Sequence, residues 1–189
     1  VVGDEAEQAL AAEFANVARR YLAVIDGRDG QSPEDFLVAL HPLLCELTYR
    51  AAMLPDVEPE AERPTEDRMT QVEWNRLFQS LEALLGKYNL YWHVFDPVEL
   101  DKDDPIYGGL ADDLADIYWD VAAGLEPAAG SAEHIPAHVI WTWRFQFYSH
   151  WGFHALEATR AIHCHIGYHE LDDSVLYGDD DEGDEEEGA

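Results

Sequence analysis

The chain has 189 residues, enough for one ordinary domain with a real core, and carries 40 acidic against 11 basic side chains for a formal charge of −29. An apolar fraction of 47% with 12% aromatics requires a folded body. The charge excludes nucleic acid and anionic bilayers as partners, because binding there rests on Lys and Arg neutralising phosphates.

No apolar run approaches the roughly 20 residues needed to span a bilayer, so no membrane association is expected. The first residues lack the basic and apolar regions of a signal peptide. Cys45 and Cys164 are far apart and form no CxxC pair. Two scattered cysteines in a core-forming domain fit a reducing, cytoplasmic setting.

Leu10, Phe14, Val17, Ala18, Tyr21, Leu22 and Ile25 recur at three- and four-residue steps, predicting a first helix over residues 4–26 that Gly27 and Gly30 end. Ser32-Pro33 opens a second helix, with Ser as N-cap and Pro at its first position. Pro42 lies inside that pattern and predicts a kink near Val38. Residues 55–69, with Pro55, Pro59 and Pro64, read as a loop. Thr70 and Glu73 form a capping box for a third helix that ends near Gly86.

Residues 89–97, Asn-Leu-Tyr-Trp-His-Val-Phe-Asp-Pro, have β-like composition, yet no other stretch reads as a partner strand. An extended segment plugging the core is expected there, followed by an acidic loop over 98–108. A fourth helix is predicted over 109–125, with Leu110, Leu114, Ile117, Tyr118, Val121 and Leu125 on one side. A fifth runs from Ile135-Pro136 to about Ile166. The expected fold is therefore all-α, a single-domain bundle of about five helices with a kinked second helix over residues 1–170. A disordered acidic tail over 171–189 would hold ten of the acids, leaving about −19 on the body.

The chemistry concentrates in the fifth helix. On a continuous helix His150 and His154 share a narrow stripe with Trp143, Phe147, Ala158 and Ala161, where a core normally carries Leu or Ile. Imidazoles one turn apart suit a metal ion, and Asp113 and Asp116 on the fourth helix are the candidate carboxylate partners. The implied ion is a divalent zinc, iron or manganese, and the chemistry metal-assisted hydrolysis, with His93 as an outer group for proton transfer and Asp96 near it. Against this, Asp113, Asp116 and Asp120 plot on the side away from Leu110, Leu114 and Ile117, which reads as a solvated face. No HExxH, GxSxG, GxGxxG or Walker motif is present. A pyrophosphatase-like pair of acidic ridges fails because Glu73 and Glu82 on the third helix are too far apart.

Two further groups read as structural. His163, His165 and His169 cluster beside the tail, where they would bind metal weakly at most. Cys45 stands one turn after His41, but Pro42 disturbs that turn. The acidic surface itself suits an interaction module that docks a basic or amphipathic protein partner, and this binding or adaptor role is the leading expectation, with the metal-dependent hydrolase as its alternative.

Several segments together resemble a bacterial family of uncharacterised domains, domain-of-unknown-function family 5063. They are Phe36-Leu…Leu40-His-Pro-Leu-Leu44, Leu54-Pro-Asp-Val57, Tyr91 to Pro97, Leu110 to Tyr118, Trp141-Thr-Trp-Arg-Phe145 and His150-Trp-Gly-Phe-His154. The resemblance implies a single cytoplasmic helical domain and supplies no activity, ligand or catalytic residue.

Overall fold

A computed structural model describes residues 2–59, 69–94, 97–98, 104–125 and 134–168. The boundary expected at residue 170, the acidic tail, Asp96 and His169 lie outside the described residues. Within them are six helices and one hairpin: α1 (Val2–Asp26), α2 (Pro33–Ala52), α3 (Gln71–Leu85), β1 (Leu90–His93), β2 (Ile106–Gly109), α4 (Leu110–Ala122), α5 (Ala137–Ser149) and α6 (Trp151–Tyr168).

The local signals act as their chemistry dictates. Ser32 accepts the Asp35 backbone N–H at 3.0 Å, and Pro33 starts α2. The helix continues through Pro42 to Ala52. Thr70 and Glu73 satisfy one another's backbone N–H groups, and Leu77, Leu81 and Leu85 of α3 are buried.

α6 is the axis of the molecule, packed against α2, α4 and α5; α1 lies on α2 and α4, and α3 lies on α4. The core between them is aromatic. The Phe14 ring centroid lies 5.0 Å from that of Trp143 and 6.0 Å from that of Trp151, and Phe147 lies 5.0 Å from Trp151. Both buried indoles keep a hydrogen bond, Trp143 Nε1 to the Ala123 carbonyl at 2.7 Å and Trp151 Nε1 to the Trp143 carbonyl at 3.3 Å. Tyr21 crosses from α1 to donate to the Leu114 carbonyl at 2.9 Å. Burial, and then the charge of Asp113, hold its phenol well above the ordinary tyrosine range. At the other end the Gln8 amide clasps Ile135, donating to its carbonyl at 3.0 Å and accepting its N–H at 2.8 Å.

Two expectations are corrected. The aromatic segment does find a partner: β1 pairs antiparallel with β2 in the register Leu90–Gly109, Tyr91–Gly108, Trp92–Tyr107 and His93–Ile106. The stretch Ile-Tyr-Gly-Gly is too short and glycine-rich to announce a strand. The long fifth helix is two helices, α5 and α6, broken at His150. Gly152 belongs to that break, since a Cβ there would stand 1.9 Å from the Phe147 carbonyl oxygen.

The hairpin is fixed to α4 by one residue. Gly109 has no side chain with which to cap α4, and buried Asn89 replaces it, accepting Leu110 N–H on its carbonyl and Ala111 N–H on its side chain, both at 2.8 Å. Asn89→Ala orphans the Ala111 N–H and should cost about 1–3 kcal/mol in urea unfolding, with m unchanged. Gly152→Ala forces backbone apart and should cost about 2–3 kcal/mol in the same measurement.

Candidate metal centre

α4 passes between α3 and α6, so its buried arc is wider than its apolar stripe. Asp113 and Asp120 therefore lie inside the protein, each 5% exposed, and Asp116 is partly buried. The expectation of a solvated acidic face is wrong for these three residues. A carboxylate removed from water must find donors. Here the donors are imidazoles and neutral groups.

His154 Nδ1 donates to Asp113 Oδ1 at 2.9 Å, and the other oxygen of Asp113 accepts the Tyr91 hydroxyl at 2.7 Å. His150 Nδ1 donates to Asp120 Oδ2 at 2.6 Å, and Gln146 Nε2 donates to Asp120 Oδ1 at 3.1 Å. With each Nδ1 committed, each Nε2 is the free ring nitrogen. Both turn toward Asp116 Oδ2, which lies 3.4 Å from Nε2 of His154 and 3.8 Å from Nε2 of His150. The indole of Trp74 holds Asp116 in that pose by donating to Oδ1 at 2.8 Å. Ligand atoms of Asp116, His150 and His154 all fall within 4.8 Å of one another.

The break between α5 and α6 makes this convergence possible. His150 caps α5 instead of continuing it, and its backbone carbonyl takes the Phe153 N–H at 3.0 Å. Its side chain stays half exposed while that of His154 is three-quarters buried. The two rings meet edge to face at 5.1 Å. The apolar-stripe reading placed both imidazoles in the core; the break instead brings them to its rim. Trp143, Phe147, Ala158 and Ala161 remain buried as the periodicity predicts.

The electrostatics are one-sided. Asp112, Asp113, Asp116 and Asp120 surround two imidazoles, and among the described residues no Lys or Arg pairs with any of the four. Burial lifts the Asp113 carboxyl above the usual range against the hydrogen bonds from His154 and Tyr91, and lifts Asp120 against the bond from His150. Asp112 is raised by burial and by the neighbouring Asp116 charge. Burial works against a charged His154, but the hydrogen bond to Asp113 and the charges of Asp113, Asp116 and Asp112 outweigh it, so His154 titrates above an ordinary histidine. Tyr91 is raised by burial and by Asp113.

Sequence reasoning reached five of these residues, His150, His154, Asp113, Asp116 and Asp120, and missed three. Tyr91, Trp74 and Gln146 carry no motif, and only the packing of the hairpin, α3 and α5 onto α4 brings them in. Gly108 permits the Tyr91 approach: a Cβ there would lie 2.6 Å from the Tyr91 ring. α3 thus supplies an indole, whereas Glu73 is spent on the Thr70 cap. His93 does not reach the centre; it lies beside Tyr91, ring centroids 6.2 Å apart. His41 stacks on His163 at 5.3 Å, and His165 meets Tyr88 edge to face. Cys45 is exposed and Cys164 partly so; both are free thiols.

A family model described as domain of unknown function DUF5063 matches residues 5–169. The chain belongs to this family. A crystal structure of protein BF1032 from Bacteroides fragilis is similar in fold, with a TM-score of 0.67 at 22% identity over 82% of this chain and 90% of that one. No curated protein matches the chain. In this DUF5063 chain, no helix of the described residues is long and apolar enough to cross a membrane.

The raised His154 sets a pH dependence for the metal-free protein. The native state holds that proton more tightly than the unfolded chain does. Its stabilisation is full below the unfolded value of about 6.5 and is lost as pH rises through the native value. Unfolding measured in chelator should show stability falling as pH rises above about 6.5, and His154→Ala should flatten that slope.

Proposed function

We propose that the protein binds one divalent metal ion through Nε2 of His150, Nε2 of His154 and Oδ2 of Asp116. The carrying observation is the orientation of these three atoms, each fixed by a hydrogen bond on the far side of its own group. Two ligands at ordinary bond lengths on a tetrahedral ion stand ~3.4 Å apart, close to the separations of Asp116 Oδ2 from the two imidazoles. The bonds from His150 to Asp120 and from His154 to Asp113 are the carboxylate–histidine supports that set tautomer and ligand basicity at metal centres. An ion also compensates the crowd of aspartates that no Lys or Arg meets among the described residues.

Two imidazoles and one carboxylate leave coordination positions open, a donor set suited to zinc, iron or manganese. The half-exposed His150 puts those positions within reach of solvent. The reading that follows is a metal-dependent hydrolase in which the ion activates water. A cytoplasmic location accords with the two free thiols.

Elemental analysis of tag-free protein purified without a nickel column is the test. About one equivalent of zinc, iron or manganese is expected, lost in Asp116→Ala and His154→Ala. Asp120→Asn should weaken affinity by about 10- to 100-fold. Protein that neither carries nor takes up any of these ions after reloading would overturn the proposal.

A second reading, a module that docks a basic or amphipathic partner, draws support from the acidic surface and from aromatic rings left in solvent. Trp141 and Phe145 stack at 4.9 Å, with Phe145, Tyr148 and Phe153 each more than half exposed. The convergence of His150 and His154 on a carboxylate ranks it behind the metal centre.

A further inference from the structure

A cavity of about 470 Å³ lies between the β1 end of the hairpin and α6, outside the metal centre. Val94, Pro97 and Pro105 give it apolar walls, and His93, Glu157 and Arg160 bring polar groups to it. Its size falls in the range of small-molecule sites, which pair apolar walls with a few convergent polar atoms.

The polar atoms are not used up. Arg160 donates from Nε and Nη2 to Glu157 Oε2, at 3.2 and 2.9 Å, and from Nη2 to the Trp92 carbonyl at 3.0 Å. Those bonds pin the guanidinium to both walls of the cavity, and among the described residues its Nη1 edge has no acceptor. His93 lines the same cavity, and its buried Nδ1 has no hydrogen-bond partner among the described residues. Buried polar atoms are nearly always bonded, so an orphan at a cavity wall marks where a ligand atom belongs. The free Nη1 of Arg160 offers charged N–H donors, which a carboxylate accepts strongly.

We propose that this cavity binds a small apolar monocarboxylate, its carboxylate on Arg160 Nη1 and His93 Nδ1 and its body against Val94, Pro97 and Pro105. A dianion or phosphate is disfavoured: Glu157 already offsets Arg160, and the chain carries −29. The ligand class covers simple acids and apolar α-amino acids. The latter would place an ammonium on Glu157, whose Oε1 makes no bond among the described residues.

Titration calorimetry of the full chain with phenylacetate, phenylalanine and 2-phenylethanol tests this. Saturable binding of phenylacetate is expected, with 2-phenylethanol at least tenfold weaker because it lacks the carboxylate. Arg160→Gln and His93→Ala should each weaken phenylacetate about tenfold, and Arg160→Lys should recover part of the loss. His154→Ala should leave the affinity within about twofold, so the result is independent of the metal centre. Phenylalanine binding tighter than phenylacetate supports the amino-acid form of the proposal, and the reverse order supports the simple acid. Equal binding of phenylacetate and 2-phenylethanol, unchanged affinity in both the Arg160→Gln and His93→Ala variants, or no saturable binding would overturn it.

Discussion

The structure depends on carboxylates buried, among the described residues, without a guanidinium or ammonium beside them. Asp113 and Asp120 sit inside a bundle where desolvating a charge costs several kcal/mol, and their partners are imidazole, phenol and amide. α4 is held by these bonds to α5, α6 and the hairpin, while Trp74 ties it through Asp116 to α3. Any group that changes the charge between the two histidines acts on all of those elements together.

The geometry also separates the proposed ligands from their supports. Asp113 and Asp120, the more buried pair, face Nδ1; Asp116, the more exposed, faces both Nε2 atoms. A rigid outer layer with a reachable inner one is the arrangement that a metal centre of the proposed kind requires. Distinct parts of the chain supply the layers, so their alignment rests on the packing of α4 against α6.

Local chemistry was legible wherever a few neighbouring residues decide the outcome. Ser32 with Pro33, and Thr70 with Glu73, mark helix starts because the capping groups lie within one turn. The pairing of His150 and His154 with Asp113 and Asp116 was legible from one-turn spacings. Their facing was not, because a helical wheel assigns every aspartate to solvent, while a helix packed on three neighbours has little solvent face to offer. The break at His150 was hidden by an unbroken helical periodicity, and a single glycine at position 152, which the Phe147 carbonyl approaches across the break, does not announce it. The hairpin was missed because β2 owes its conformation to Tyr91 and Asn89 more than to its own residues.

Gln8 and Ile135 are 127 residues apart in sequence, yet one amide satisfies both backbone groups of the other. That clasp cannot close until the chain has been synthesised past α4, so the N-terminal half of α1 waits for its final dock. Closing so long a loop is paid in chain entropy before any contact returns it. Once closed, it joins the first helix to the start of the α5–α6 unit, and an opening at the N-terminus must disturb the aromatic core as well. The expected native-state hydrogen exchange is thus a single cooperative unit spanning α1 and α5.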